Sequence, residues 1–131
     1  MSAATVAVLL VEDSPTDAAL LQESLHELSQ PGLDGFRFTL AETWSEAAAH
    51  LQKRSFNVLL LDLSLPDSTG RDTFVRARAA APHLRIVVLT GVADKAVGLE
   101  AVRHGIRDYL IKGQAYGRQT GRAIRYAIGR Q

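Results

Sequence analysis

Apolar residues along this chain follow two alternating rhythms. The first is a set of short, nearly unbroken runs at residues 5–11, 58–61 and 84–89, with a briefer one at 109–111. Runs of this length, rich in valine and leucine, predict strands covered on both faces. At 36–41 the pattern changes: Phe36, Phe38 and Leu40 alternate with Arg37, Thr39 and Ala41. That predicts a strand with one wetter face, at a sheet edge. The second rhythm is helical. Ala18, Leu21, Leu25 and Leu28 step by three and four residues, which is one face of a helix. Ser14 suits its cap and Pro15 its first position, where a missing N–H costs nothing. Asp17 then lies in the first turn, where negative charge suits the helix dipole. Gln30-Pro31-Gly32 stops this helix.

Thr43-Trp44-Ser45-Glu46 fits a capping box before a second helix through Ala47, Ala48 and Leu51. Asp67-Ser68-Thr69-Gly70 is expected to begin a third, running through Phe74, Val75 and Ala79 to Pro82. A fourth, capped by Asp94, is weaker. Its Val97, Ala101 and Val102 are small, and Gly98 costs about 1 kcal/mol against alanine. Gly105 fits its C-cap. A fifth is expected over about 116–130, with Ala123, Ile124, Ala127 and Ile128 facing inward and Arg118, Arg122 and Arg125 on other faces. The alternation is (βα)5. Such units cross over right-handed and give an α/β fold with a parallel sheet and helices on both faces. A chain of 131 residues suits one domain, so residues 1–131 are read as a single unit.

Composition narrows the chemistry. The net charge is +1, with 15 basic and 14 acidic residues, which gives no whole-protein pull toward nucleic acid or anionic membrane. There is no cysteine, so disulfides, thiolate metal sites and cysteine catalysis are excluded. His26, His50, His83 and His104 are far apart and match no metal spacing. The first apolar run is short and has no basic region before it. It reads as a strand, neither signal peptide nor membrane span, and a cytoplasmic location is expected.

Four of the strands end in polar groups: Glu12 and Asp13, Asp62, Thr90, and Lys112. In a parallel sheet these ends share one edge, so side chains distant in sequence can converge there. Taken singly, Asp13 or Asp62 is more often a cap or loop residue, and Lys112 a solvated charge. Taken together, in order and at the correct ends, they describe a site. Three gathered carboxylates repel one another and need a cation. Hard oxygen ligands without soft atoms suit Mg²⁺. A carboxylate at Asp62 can attack phosphorus to form an acyl phosphate, a reaction that needs mainly positioning and neutralisation. Lys112 would supply charge and the Thr90 hydroxyl a hydrogen bond.

With those residues identified, the chain resembles bacterial response-regulator receiver domains of two-component signalling. The resemblance runs from Val6 to about Ile128. It rests on Leu9-Leu10-Val11-Glu12-Asp13, on the stretch from Leu61-Asp62 to Thr69-Gly70, on Val88-Leu89-Thr90-Gly91, and on Asp108-Tyr109-Leu110-Ile111-Lys112-Gly113. It implies the doubly wound strand order 2-1-3-4-5 and a regulatory phosphoacceptor that catalyses its own phosphoryl transfer and dephosphorylation. It implies Asp62 as phosphoacceptor, Asp13 binding Mg²⁺ directly, Glu12 acting through water, and the Ser64 carbonyl as a further ligand. Thr90 and Lys112 would contact the phosphoryl group, and Tyr109 falls at the aromatic switch position. The implied donor is a sensor histidine kinase or histidine phosphotransfer protein. The readout surface would be the fourth helix, fifth strand and fifth helix, carrying Tyr109, Arg107 and the arginines of that last helix. The resemblance also implies that a homodimer would form either through that same surface or through the fifth helix alone.

The sequence departs from the family pattern in three places. The acidic pair is Glu-Asp instead of Asp-Asp. Gly113 stands where a proline after a cis bond is usual, so a trans peptide is expected. Val92 and Ser64 leave few groups to guide an attacking water, so the lifetime of the phosphorylated form should depend on both. Two rival readings are a binding module that never uses phosphate and a flavodoxin-like cofactor enzyme. The intact set of site residues argues against the first. Against the second, the first loop, Glu12-Asp13-Ser14-Pro15-Thr16-Asp17, is acidic where a phosphate cradle needs Gly, Ser and Thr.

Overall fold

The structure, a computed structural model, describes residues 4–26, 33–91, 95–106 and 108–112. The expected fifth helix, Leu28, the stop at residues 30–32, Val92, the cap at Asp94, Arg107 and Gly113 lie outside the described residues. The elements are β1 (Ala4–Val11), α1 (Pro15–His26), β2 (Leu33–Ala41), α2 (Trp44–Lys53), β3 (Val58–Asp62), β4 (Ser64–Leu65), β5 (Ser68–Thr69), α3 (Arg71–Ala80), β6 (Arg85–Thr90), α4 (Lys95–Arg103) and β7 (Asp108–Ile111). Five strands form one parallel sheet in the order β2-β1-β3-β6-β7. That is the expected doubly wound arrangement, with β4 and β5 as a small antiparallel pair beside it.

Strand periodicity explains why the central runs are apolar without a break. Val6, Val8 and Leu10 point to one face, where they meet Ala18, Leu21 and Leu25 of α1 together with Val58, Leu60, Val87 and Leu89. Leu9, Val11, Leu59, Leu61, Ile86 and Val88 point to the other, against Trp44 and Ala47 of α2, Phe74 and Ala77 of α3, and Ala101 of α4. Each buried leucine or valine contributes roughly 1.5–3 kcal/mol relative to exposure. The edge position of β2 is as expected, but the alternation holds only in part. Phe36 and Phe38 pack partly buried on the core, whereas Leu40, in phase with them, is exposed. Ala41, on the face expected to be wetter, is buried with Trp44 and Ala47 of α2.

One boundary differs from the sequence expectation. Residues 67–70 do not begin a helix. Ser68 and Thr69 pair back on Leu65 and Ser64, and α3 starts at Arg71. Gly70 makes the turn at φ +59, a region that suits glycine, and its N–H bonds the Leu63 carbonyl at 2.7 Å. The late start sets the phase of α3. Thr73, Phe74 and Ala77 face inward, whereas Val75 and Ala79 are exposed.

The local caps form close to expectation. Ser14 Oγ accepts from Asp17 N at 3.2 Å, and Thr43 Oγ1 from Glu46 N at 3.1 Å. Glu46 reaches back one residue further than a capping box requires, to Glu42 N at 3.1 Å. At the end of α4, Gly105 has φ +94 and Ile106 N bonds the Ala101 carbonyl, so the carbonyls there are satisfied as a glycine C-cap allows. No described helix is long and apolar enough to cross a membrane.

Candidate functional site

The sheet ladder continues one residue past three strands, and this fixes the polar ends. Glu12 N bonds the Ala41 carbonyl at 2.9 Å, Leu63 N the Leu89 carbonyl at 3.2 Å, and Lys112 N the Thr90 carbonyl at 2.7 Å. Glu12, Asp62 and Lys112 are therefore set by backbone pairing before their side chains interact.

Those side chains meet. Lys112 Nζ lies 2.9 Å from Glu12 Oε1, 3.2 Å from Asp62 Oδ2 and 3.1 Å from Asp17 Oδ2. Carboxylate oxygens of Glu12, Asp13 and Asp62 lie within 4.8 Å of one another. Asp62 is 2% exposed and Glu12 4%, while Asp13 is open to solvent. Asp62 Oδ1 accepts from the Ser64 backbone N–H at 3.0 Å, and Glu12 Oε2 from Ser14 N at 3.2 Å. Glu12 Oε1 is buried, and its contact with Lys112 is at ion-pair distance without hydrogen-bond geometry.

The electrostatics follow from this crowding. Burial pushes the Glu12 carboxyl up to about 7; the adjacent Asp62 carboxylate adds to the rise, and Lys112 opposes it. Burial alone would pull the Lys112 ammonium down. The Glu12 carboxylate and the charges of Asp62 and Asp17 outweigh it and hold the ammonium above its ordinary range. Without metal, the site is over-supplied with negative charge.

A cavity of about 250 Å³ opens beside Asp62, lined by Ser64, Thr69, Gly70, Thr90 and Val97 among others. Thr90 is buried and faces this cavity, but its hydroxyl is 3.5 Å from the Leu110 carbonyl, a long bond that is readily given up. Tyr109 does not join the acidic cluster. It stands half-buried beside Thr90, with both packed against α4 at Gly98. A Cβ at Gly98 would lie 2.9 Å from Tyr109 Cδ2 and 3.3 Å from Thr90 Cγ2. The glycine that weakens α4 is thus what lets the helix approach the ring. Gly98→Ala is expected to gain none of the ~1 kcal/mol of helix propensity, because the ring must shift to admit the methyl. A full gain in urea-unfolding stability would show that the contact is not tight.

The sequence-predicted residues Glu12, Asp13, Asp62 and Lys112 come together, with Ser64 and Thr90 on the adjoining cavity wall. Sequence reasoning misses two participants. In the sequence Asp17 is only a dipole-compatible charge, although it sits one turn after the acidic pair and so close to it in space. Asp67 has the look of a helix start. Its Oδ1 instead accepts from Trp44 N at 2.8 Å and its Oδ2 from Ser45 N at 3.0 Å, across to α2. The Trp44 bond, with Ser45 assisting, holds its carboxyl below the usual aspartate range.

Comparison with known proteins adds independent findings. The family model for the response regulator receiver domain matches residues 8–120. The chain is 35% identical over 103 residues to the regulatory protein LuxO of Vibrio vulnificus, covering 79% of this chain and 21% of that protein. It is 30% identical over 105 residues to the alginate biosynthesis transcriptional regulatory protein AlgB of Pseudomonas aeruginosa, covering 80% and 22%. The chain thus spans about a fifth of the length of these relatives. A response regulator receiver domain from Clostridium thermocellum superposes with a TM-score of 0.80 at 22% identity, covering 95% of both chains. The receiver domain of a sensor histidine kinase from Pseudomonas aeruginosa superposes at 0.76 with 26% identity, covering 96% of this chain and 99% of that one. That structure holds a magnesium ion in its active-site cleft.

Proposed function

Because the chain belongs to the response-regulator receiver-domain family, we propose that Asp62 accepts a phosphoryl group from a sensor histidine kinase or histidine phosphotransfer protein. The observation that carries this reading is the convergence on one buried carboxylate. Asp62 ends a central strand, opens on a cavity, and has an ammonium on one oxygen and a backbone N–H on the other.

The residues fit a magnesium ion. Three carboxylates, two of them buried, present oxygens within 4.8 Å of one another, a gathering of negative charge that the single Lys112 ammonium does not balance. Asp13 and Asp62 would hold the ion directly with the Ser64 carbonyl, and Glu12 would act through water. When bound, the ion supplies neutralisation of carboxylate and phosphoryl charge.

The chain's own residues perform the transfer. A carboxylate oxygen of Asp62 attacks the phosphorus of the donor phosphohistidine. The new O–P bond forms as the N–P bond breaks, and the electron pair leaves with the imidazole. The N–H of Ser64 orients the nucleophile. Lys112 already touches the reacting carboxylate and can turn to the phosphoryl oxygens, while Asp17 and Glu12 keep its ammonium charged. Thr90 exchanges its long bond to Leu110 for a phosphoryl oxygen. That movement frees space beside Tyr109, and the ring follows it inward, shifting the population of the α4–β7 surface. Leu99 and Val102 are exposed on α4. We assign the partner or homodimer contact to that face, together with the expected fifth helix. The lifetime of the phosphorylated state depends on Ser64 at the cavity mouth and on Val92.

The test is phosphorylation by acetyl phosphate with Mg²⁺, read by intact mass. The wild-type protein is expected to gain a phosphoryl group and Asp62→Asn none. Equal labelling of both proteins, or none in the wild type, overturns the reading.

A further inference from the structure

The loop after Asp62 carries Ser64 and is tied down at two levels. Leu63 and Leu65 are buried, β4 pairs with β5, and Ser68 Oγ meets Thr73 Oγ1 at 2.8 Å within the core. These contacts fix the inner part of the loop. The outer turn, at Pro66 and Asp67, is exposed and would be free to pivot on its own. It is held because the Asp67 carboxylate takes the first two N–H groups of α2, Trp44 at 2.8 Å and Ser45 at 3.0 Å. Helix N-termini leave such donors without intrahelical partners, and a negative charge there gains from the dipole as well. The other end of the link is firm. Thr43 caps Glu46 N, and Trp44 is 9% exposed, packed in the core cluster that includes Leu63, Leu65 and Phe74.

We propose that Asp67 is a positioning residue for the divalent-ion site. By anchoring the turn to α2, it steadies the short β4–β5 pair whose Ser64 carbonyl would join Asp13 and Asp62 in holding the ion. The inference rests on the proposed metal site and extends it to a residue that touches neither metal nor phosphoryl group. The geometry makes the link two-sided. One end is β3, whose last residue is the phosphoacceptor; the other is the N-terminus of α2, and Ser64 lies between them. Cutting the outer tether leaves the fold intact, since the buried leucines and the Ser68–Thr73 bond remain, but Ser64, exposed on a strand pair only two residues long, then loses the anchor at the tip of that pair.

The experiment is Mg²⁺ titration by calorimetry at about 10 °C, where domains of this kind are near their maximum stability, on the full chain. Four proteins are compared: wild type, Asp67→Ala, Asp67→Asn and Thr43→Ala. Asp67→Ala is expected to weaken Mg²⁺ binding roughly tenfold, the lower end for groups that orient a metal ligand. Asp67→Asn keeps one acceptor for Trp44 N and should recover part of that loss. Thr43→Ala weakens the same helix end by removing its local cap but leaves the tether, so its Mg²⁺ affinity should stay within about twofold of wild type. Unchanged affinity in Asp67→Ala, beside a wild type that binds Mg²⁺, overturns the tether and leaves the metal site standing. An equal loss in Thr43→Ala also overturns it, because helix stability alone would then explain the effect. A wild type that binds no Mg²⁺ brings down both the site and this inference.

Discussion

Lys112→Ala is expected to destabilise the metal-free protein by roughly 3–5 kcal/mol, the cost of removing one partner from a buried ion pair. The ammonium touches Glu12, Asp17 and Asp62, and the side chains of Glu12 and Asp62 are only 2% and 3% exposed. Once it is gone, two buried carboxylates face each other with no cation between them. The effect should depend on pH, and the sign follows from Glu12. Its carboxyl is raised from an ordinary 4.5 to about 7 in the folded chain. A group raised in this way favours folding fully below its unfolded value, and the contribution is lost as pH rises through about 7. Each tenfold gain in proton affinity is worth about 1.4 kcal/mol, so the contribution is on the order of 3 kcal/mol in the wild type. In Lys112→Ala the opposing ion pair is absent, so Glu12 rises further and the decline extends to higher pH. Urea unfolding in chelator at about pH 5, 7 and 9, on either side of that titration, measures this. The wild-type midpoint should fall across the series, the variant should fall further, and Mg²⁺ should restore the wild type at the alkaline end. A flat wild-type profile would contradict the crowding of Glu12 against Asp62.

The other large effect lies in the core. Phe74 is fully buried on α3, among Leu63 and Leu65 of the site loop and Ala101 and Ile106 at the end of α4. Its ring also lies 5.9 Å from that of His104. Phe74→Ala should cost about 3–5 kcal/mol from lost transfer energy and the cavity left behind. Domains of this size are stable by only about 5–15 kcal/mol, so the variant should sit near its folding threshold. Because the cavity adjoins Leu63 and Leu65, metal binding in the cold should weaken as well. A loss below about 1 kcal/mol in urea unfolding would mean that α3 collapses into the gap.

Asp67 and Phe74 bound what was legible in the chain. The fold was legible because it depends on periodicity that each segment carries alone. Leu59 and Leu61 face one layer and Val58 and Leu60 the other, so the strand had to read as an unbroken apolar run. The acidic pair, Asp62, Thr90 and Lys112 were legible because strand ends in a parallel sheet share an edge. The caps at Ser14 and Thr43 were legible because their partners lie three residues away.

What the chain could not show is which polar group answers which across long separations. Read alone, Asp67-Ser68-Thr69-Gly70 resembles a helix start, and nothing in it signals donors on α2. Only when α2 is packed beside the loop do the N–H groups of Trp44 and Ser45 come within reach, and the carboxylate then turns outward to them. Asp17 becomes a third partner of Lys112 only because β7 and α1 converge at the same edge. Gly98 reads as a weak point in a helix until Tyr109 is placed against it. Periodicity and capping are local and written in the sequence. Hydrogen-bond partnership and close approach depend on distances that exist only once the layers have packed.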